Sequence, residues 1–200
     1  MFAVKKFGIS SYHLLRYAAE TSRGTLRSHS YEMAHGSIRQ QLVGSWELIE
    51  YFAHLPNDPS DKFYPMGPNA KGIIMYNPDG YMSAQLMTPG QGPFDRAGGT
   101  EQEWARVGRN FVSYTGQFYL DERGDAQGRP ILMHHMGTAS IPSLRGDTQR
   151  RIMRFSNESD GKYLILGVDG TLPFNGEHRV IVVRWRRLPY NDKTTPPEKI

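Results

Sequence analysis

With 200 residues the chain has room for one domain and some to spare. A hydrophobic share of 38% and a charged share of 22% exclude a disordered polymer, and no apolar run approaches the ~20 residues that span a bilayer. The lack of cysteine excludes disulfides, thiolate metal sites, iron–sulfur clusters and cysteine nucleophiles, and the net charge of +4 is modest.

Residues 1–40 read as an N-terminal extension. Lys5, Lys6, Arg16, Arg23, Arg27 and Arg39 face only Glu20 and Glu32 there. An Arg- and Ser-rich, acid-poor stretch fits a mitochondrial presequence, a leader, or a short helix plugging the domain that follows. No apolar h-region follows the lysines, so a secretory signal is not expected and the expected location is cytoplasmic, or mitochondrial if the extension targets the chain. The rest of the chain is nearly balanced in charge, which gives no footprint for nucleic acid.

The domain is read over residues 41–189. Leu42–Phe52 is the first strand. Gly72–Tyr76 runs into Asn77-Pro78-Asp79-Gly80 and then Tyr81–Met87, a hairpin by composition. A long connection from Thr88 to Asn110 follows. Its second half carries the capping pattern Thr100-Glu101-Gln102-Glu103 before Trp104, which predicts one short helix. Five further runs are read as strands: Phe111–Leu120, Ile131–Ser140, Gln149–Ser156, Tyr163–Gly167 and Arg179–Leu188. Residues 190–200, with Pro196-Pro197, form a tail. Eight short antiparallel strands make a sandwich or a closed barrel, and closure removes exposed edges while leaving room for one small ligand.

Gly44-Ser45-Trp46 on the first strand resembles the lipocalin signature, in which the Trp closes the barrel base beneath a basic residue of the last strand; Arg184 or Arg186 would supply it here. Added to it are Gly67-Pro68, Gly72–Tyr76, Asp79–Ala84, Tyr114-Thr115-Gly116, His134-His135, Pro142 and Val183-Arg184-Trp185-Arg186. In that order these motifs resemble the lipocalin-like domain family of bacteria and fungi, over roughly Gln41 to Arg187. The resemblance implies an all-β, eight-stranded antiparallel lipocalin-like (calycin) barrel, with one short helix in a lid loop and the N-terminal extension outside it. It also implies no cofactor, and a pocket for a hydrophobic small molecule. Some fungal members of that family belong to natural-product pathways and are linked to cyclisation, isomerisation and pericyclic steps.

The candidate chemistry follows from strand parity, since alternate residues share a face. With Trp46 inward, Leu48, Glu50 and Phe52 would follow it, and a carboxylate in an apolar pocket titrates near neutrality. Of the adjacent His134 and His135 one faces in, with His134 preferred as the donor or proton carrier. Gln149, Arg151, Met153 and Phe155 share one face; Arg151 inward needs either Glu50 or an anionic, enolate-like ligand. Tyr114 shares its face with Val112, Gly116 and Phe118. The catalytic candidates are therefore His134, Arg151, Tyr114 and Glu50. Trp46, Gln85, Phe118, Met136, Gln149, Phe155 and Trp104 are the candidates for ligand contact, with Phe94 and Trp104 capping the open end. Which face of Tyr81–Met87 is interior is left open. The spacing of His13, His29, His35, His54 and His178 suggests no metal site.

Two functions are carried forward. The first is a cofactor-independent cyclase, isomerase or pericyclase, such as a hetero-Diels-Alderase, acting on a hydrophobic oxygenated intermediate of fungal secondary metabolism. The alternative is a non-catalytic carrier that binds such a molecule unchanged. A third and weaker expectation is a hydrolase or dehydratase pairing Glu50 with His134. A homodimer is admitted without a feature that fixes it.

Overall fold

The computed structural model describes residues 37–93 and 97–197. Helix α1 (Ile38–Leu42) leads into β1 (Gly44–Leu55), β2 (Asp58–Phe63), β3 (Lys71–Tyr76) and β4 (Tyr81–Met87). Helix α2 (Glu101–Asn110) precedes β5 (Phe111–Asp121), β6 (Ile131–Ala139), β7 (Thr148–Glu158), β8 (Gly161–Gly167), β9 (Leu172–Phe174) and β10 (Glu177–Arg187). Each helix opens on a capping box, Ser37 with Gln40 and Thr100 with Glu103. No helix among the described residues is long and apolar enough to cross a membrane.

Eight strands run antiparallel in the order β1-β3-β4-β5-β6-β7-β8-β10, and β10 pairs back onto β1 to close the barrel. These are the eight runs expected from the sequence. Two short strands were not foreseen: β2 folds back on β1, and β9 on β10. Their segments, Asp-Pro-Ser-Asp-Lys-Phe and Leu-Pro-Phe, carry proline and, in β2, charge, which suit edge strands. Together they form a collar at the mouth. Phe63 meets Phe174 at 5.6 Å, and the buried Arg179 reaches Asp61 at 2.9 Å.

The opposite end is sealed. Trp46 is fully buried, stacks on Phe155 at 5.9 Å, and donates its indole N–H to the Leu42 carbonyl of α1. The cation over its ring is Arg187, at 4.8 Å, and not Arg184 or Arg186. Parity decides this. Arg187 lies directly across from Trp46, whereas Arg184 and Arg186 point outward to Glu158 and Glu47. Gly44 is required beside it, since a Cβ there would lie 2.3 Å from the Arg187 guanidinium and φ is +128°. Of the expected N-terminal plug, α1 alone lies in the described residues, and its Leu42 is fully buried in the core under Trp46. The other readings of residues 1–36 fall outside them.

Candidate functional site

Above the core lies an open-mouthed cavity of about 940 Å³. Its wall is mostly apolar: Leu86, Val112, Leu166, Ile181, Val183 and Trp185 come from four strands. That is a volume and a lining suited to one drug-sized molecule. Polar side chains enter at one level, where Tyr51 of β1, Tyr114 of β5, and Gln149 and Arg151 of β7 converge.

Arg151 reaches this position because β7 alternates without interruption, placing Gln149, Arg151, Met153 and Phe155 on the inner face. Its guanidinium donates to the Gln149 Oε1, and its charge acts on the neighbouring Tyr114 hydroxyl. Among the described residues no carboxylate stands within 4.0 Å of it. Burial raises the hydroxyls of Tyr114 and Tyr51, against a smaller lowering by the Arg151 charge, so both remain protonated donors.

His134 lies beneath this level. It is fully buried, its Nε2 is 3.0 Å from the Tyr76 hydroxyl, and its ring is 6.1 Å from that of Tyr114. The Nδ1 has no partner among the described residues. Burial, aided by the Arg151 charge, pushes its pKa down to about 3, so the imidazole is neutral at physiological pH. His134 is therefore a packed member of the floor and does not line the cavity.

Glu50 is not in the barrel at all. Leu48 pairs with Trp185 and Glu50 with Arg184, so Ile49 is an extra residue, a β-bulge that reverses the parity of the rest of β1. Trp46 and Leu48 face in; after the bulge Tyr51 and Ala53 do, while Glu50 and Phe52 face out. Outside, Glu50 meets Lys62 at 2.7 Å and accepts from the Tyr64 hydroxyl, and Lys62 also lies over Phe52. The expected pairing of Glu50 with Arg151 or with His134 is thereby overturned. Replacing Glu50 with Gln should change stability by less than about 1 kcal/mol, as for other surface pairs. It should also leave ligand affinity untouched, which thermal unfolding and a fluorescent-ligand titration would check.

The remaining candidates divide. Gln149 lines the cavity. Trp46 and Phe155 form the sealed base instead, and Phe118 and Met136 are buried in the core near the floor, with Phe118 edge-on to Tyr76 at 5.2 Å. Gln85 is exposed on the outer face, because the hairpin register sets Ala84 against Ile74 and Met82 against Tyr76 on the inside. Trp104 sits on α2, half exposed and outside the lining, though Arg109 of the same helix reaches the rim. Phe94 lies outside the described residues. Sequence reasoning missed Tyr51 and Trp185; the Ile49 bulge hid the first, and the second was read only as a neighbour of the basal arginine. Among the described residues no cluster of His, Asp and Glu is arranged to hold a metal ion.

A closed eight-stranded barrel with a sealed Gly-x-Trp base and a mouth-side apolar cavity defines a calycin-type small-molecule binding fold. The family model described as "Lipocalin-like domain" matches residues 43–188, and the chain belongs to that family. It is also similar to a 4'-hydroxy-3'-methoxypropiophenone carrier protein of Aspergillus oryzae (strain ATCC 42149 / RIB 40). The identity is 28% over 112 residues, which cover 54% of this chain and 97% of that protein.

Proposed function

We propose that this barrel is a carrier, holding a hydrophobic, oxygen-bearing small molecule of secondary metabolism without changing it. The observation that supports this most is the form of the cavity: an apolar chamber whose deep polar groups are hydrogen-bond donors gathered at one level. Such a chamber suits an aromatic or polyketide body with a carbonyl or phenolic oxygen placed against Arg151 and Tyr114. The similar carrier protein bears the name of a ligand of this kind. Acid–base turnover has little to work with here, because His134 is neutral and below the cavity, and Glu50 is outside.

The test is a titration with N-phenyl-1-naphthylamine, whose fluorescence rises in apolar surroundings. Saturable one-to-one binding, reversed by 4'-hydroxy-3'-methoxypropiophenone or a related aryl ketone, is expected; a flat titration would sink the proposal.

A second reading, a cyclase, isomerase or pericyclase such as a hetero-Diels-Alderase, draws support from the same donors. A cation and a phenol converging on one oxygen would polarise a carbonyl, and an enclosing cavity would hold a flexible chain folded. Incubation with an extract of a producing organism, followed by mass spectrometry, separates the two. A retained, unaltered compound favours the carrier; a new isomer or cyclised product favours the catalyst.

A further inference from the structure

The hydrogen-bonding atoms at the polar level of the cavity are unbalanced. The Tyr114 hydroxyl neighbours Arg151 and, kept protonated by burial, has a proton to donate. Gln149 spends its carbonyl oxygen on Arg151 and keeps its amide hydrogens. Trp185 lines the same cavity, is almost wholly buried, and its indole N–H has no acceptor among the described residues. A buried donor left without an acceptor is costly, and so is a guanidinium in an apolar chamber without a counter-charge. A ligand with a negatively charged oxygen for the guanidinium and an acceptor for the indole would meet both deficits.

The charges around Arg151 sharpen the point. Tyr51, Tyr76 and Tyr114 face it from β1, β3 and β5, and burial raises all three, so none becomes a counter-ion. His134 of β6 is uncharged. The lining also holds Arg109 and Arg150 with Asp147 and Asp169, whose formal charges cancel, so Arg151 is the net formal charge of the lining.

We infer that the occupant is an oxygen acid on an apolar body, a phenol, enol or carboxylic acid, and that it is held as its conjugate base by Arg151, Tyr114 and Trp185. This rests on the binding function proposed above and adds the ionisation state and the class of ligand. The bound anion completes the donor set: Arg151 supplies a charge-assisted hydrogen bond, and Tyr114 and Trp185 supply neutral ones. The acid gives up its proton to solvent on entry, so the cavity lowers the ligand's own pKa.

The experiment uses the full chain and two matched probes, 4'-hydroxypropiophenone and its O-methyl ether, each displacing N-phenyl-1-naphthylamine. It is run at a pH below the phenol's own pKa, where the free phenol is neutral. At about one pH unit below its own pKa the phenol should bind at least about tenfold more tightly than the ether, the equivalent of a ligand pKa lowered by about two. Its absorption should show the red-shifted phenolate band once bound. Arg151→Gln should abolish both the band and the preference while retaining the naphthylamine, which shows that the barrel is still folded; Arg151→Lys should restore part of each. A pair made of 4-butylbenzoic acid and its methyl ester then tells which oxygen acid fits better, and a strong preference for the carboxylate supports the inference equally. Equal binding of acid and masked partner in both pairs, or a bound phenol that stays neutral, overturns it and leaves the carrier proposal standing. Failure of the naphthylamine itself to bind overturns both.

Discussion

Replacing Trp46 with Ala should destabilise the barrel by about 3–5 kcal/mol, the range for truncating a fully buried large aromatic. Three interactions end at this ring: the stack on Phe155, the Arg187 guanidinium 4.8 Å above it, and the indole hydrogen bond to Leu42. Truncation removes the ring's apolar contacts and opens a void at the base. It also strips the aromatic face from Arg187, whose remaining bond is to the Gln41 carbonyl. Trp46→Phe separates these contributions. It retains a ring for Phe155 and Arg187 but leaves the Leu42 carbonyl unpaired, and should cost only about 1–2 kcal/mol beyond the small loss of area. Urea unfolding followed by far-ultraviolet circular dichroism reads both values. Near-equal midpoints for wild type and Trp46→Ala would mean that the base is not sealed by this residue.

Acid should destabilise the protein through His134, and the sign can be worked out. The folded state refuses the proton until about pH 3, while the unfolded chain takes it at the ordinary 6.5. Unfolding therefore takes up a proton in between, so stability is intact above 6.5 and is lost progressively as the pH falls towards 3. At about 1.4 kcal/mol per pH unit the whole interval is worth on the order of 5 kcal/mol. His134→Gln keeps a hydrogen-bonding partner for Tyr76 but cannot titrate. Its stability should fall less steeply with acid, by about 1.4 kcal/mol per unit in the middle of the interval. Asp58, Asp125 and Asp160, whose carboxyls are held low by their hydrogen bonds and neighbouring charges, steepen the acid loss in both proteins. The difference between the two slopes isolates the histidine. Parallel slopes would show that the imidazole is protonated in the folded state, or hydrated, well above pH 3.

The eight barrel strands were legible because each is a β-type run set off by turn or capping residues, and Asn77–Gly80 marked the hairpin of β3 and β4. The collar strands were not legible. Their pairing comes from what the longer strands offer at their edges, while their own residues, proline and aspartate among them, speak for a loop. Arg151 could be placed because β7 keeps strict alternation from Gln149 to Phe155. Glu50 and Tyr51 could not, because the bulge at Ile49 carries no glycine or other local mark; it is imposed by the fit of β1 against β10. The basal arginine was missed by a single position for a related reason: only the register of those same two strands tells Arg187 from Arg186.

That bulge makes the chemistry of the chamber a matter of phase. One unpaired residue decides whether the second half of β1 shows its tyrosine or its glutamate to Arg151. Deleting Ile49 would remove the bulge yet leave the phase unchanged, since Leu48 inward, Glu50 outward and Tyr51 inward is already simple alternation. Were β1 instead to alternate straight through Ile49, Glu50 would turn inward and the guanidinium would face a carboxylate from its own chain. The bulge at Ile49 is thus what keeps the carboxylate of β1 outside and leaves the charged socket open to a ligand.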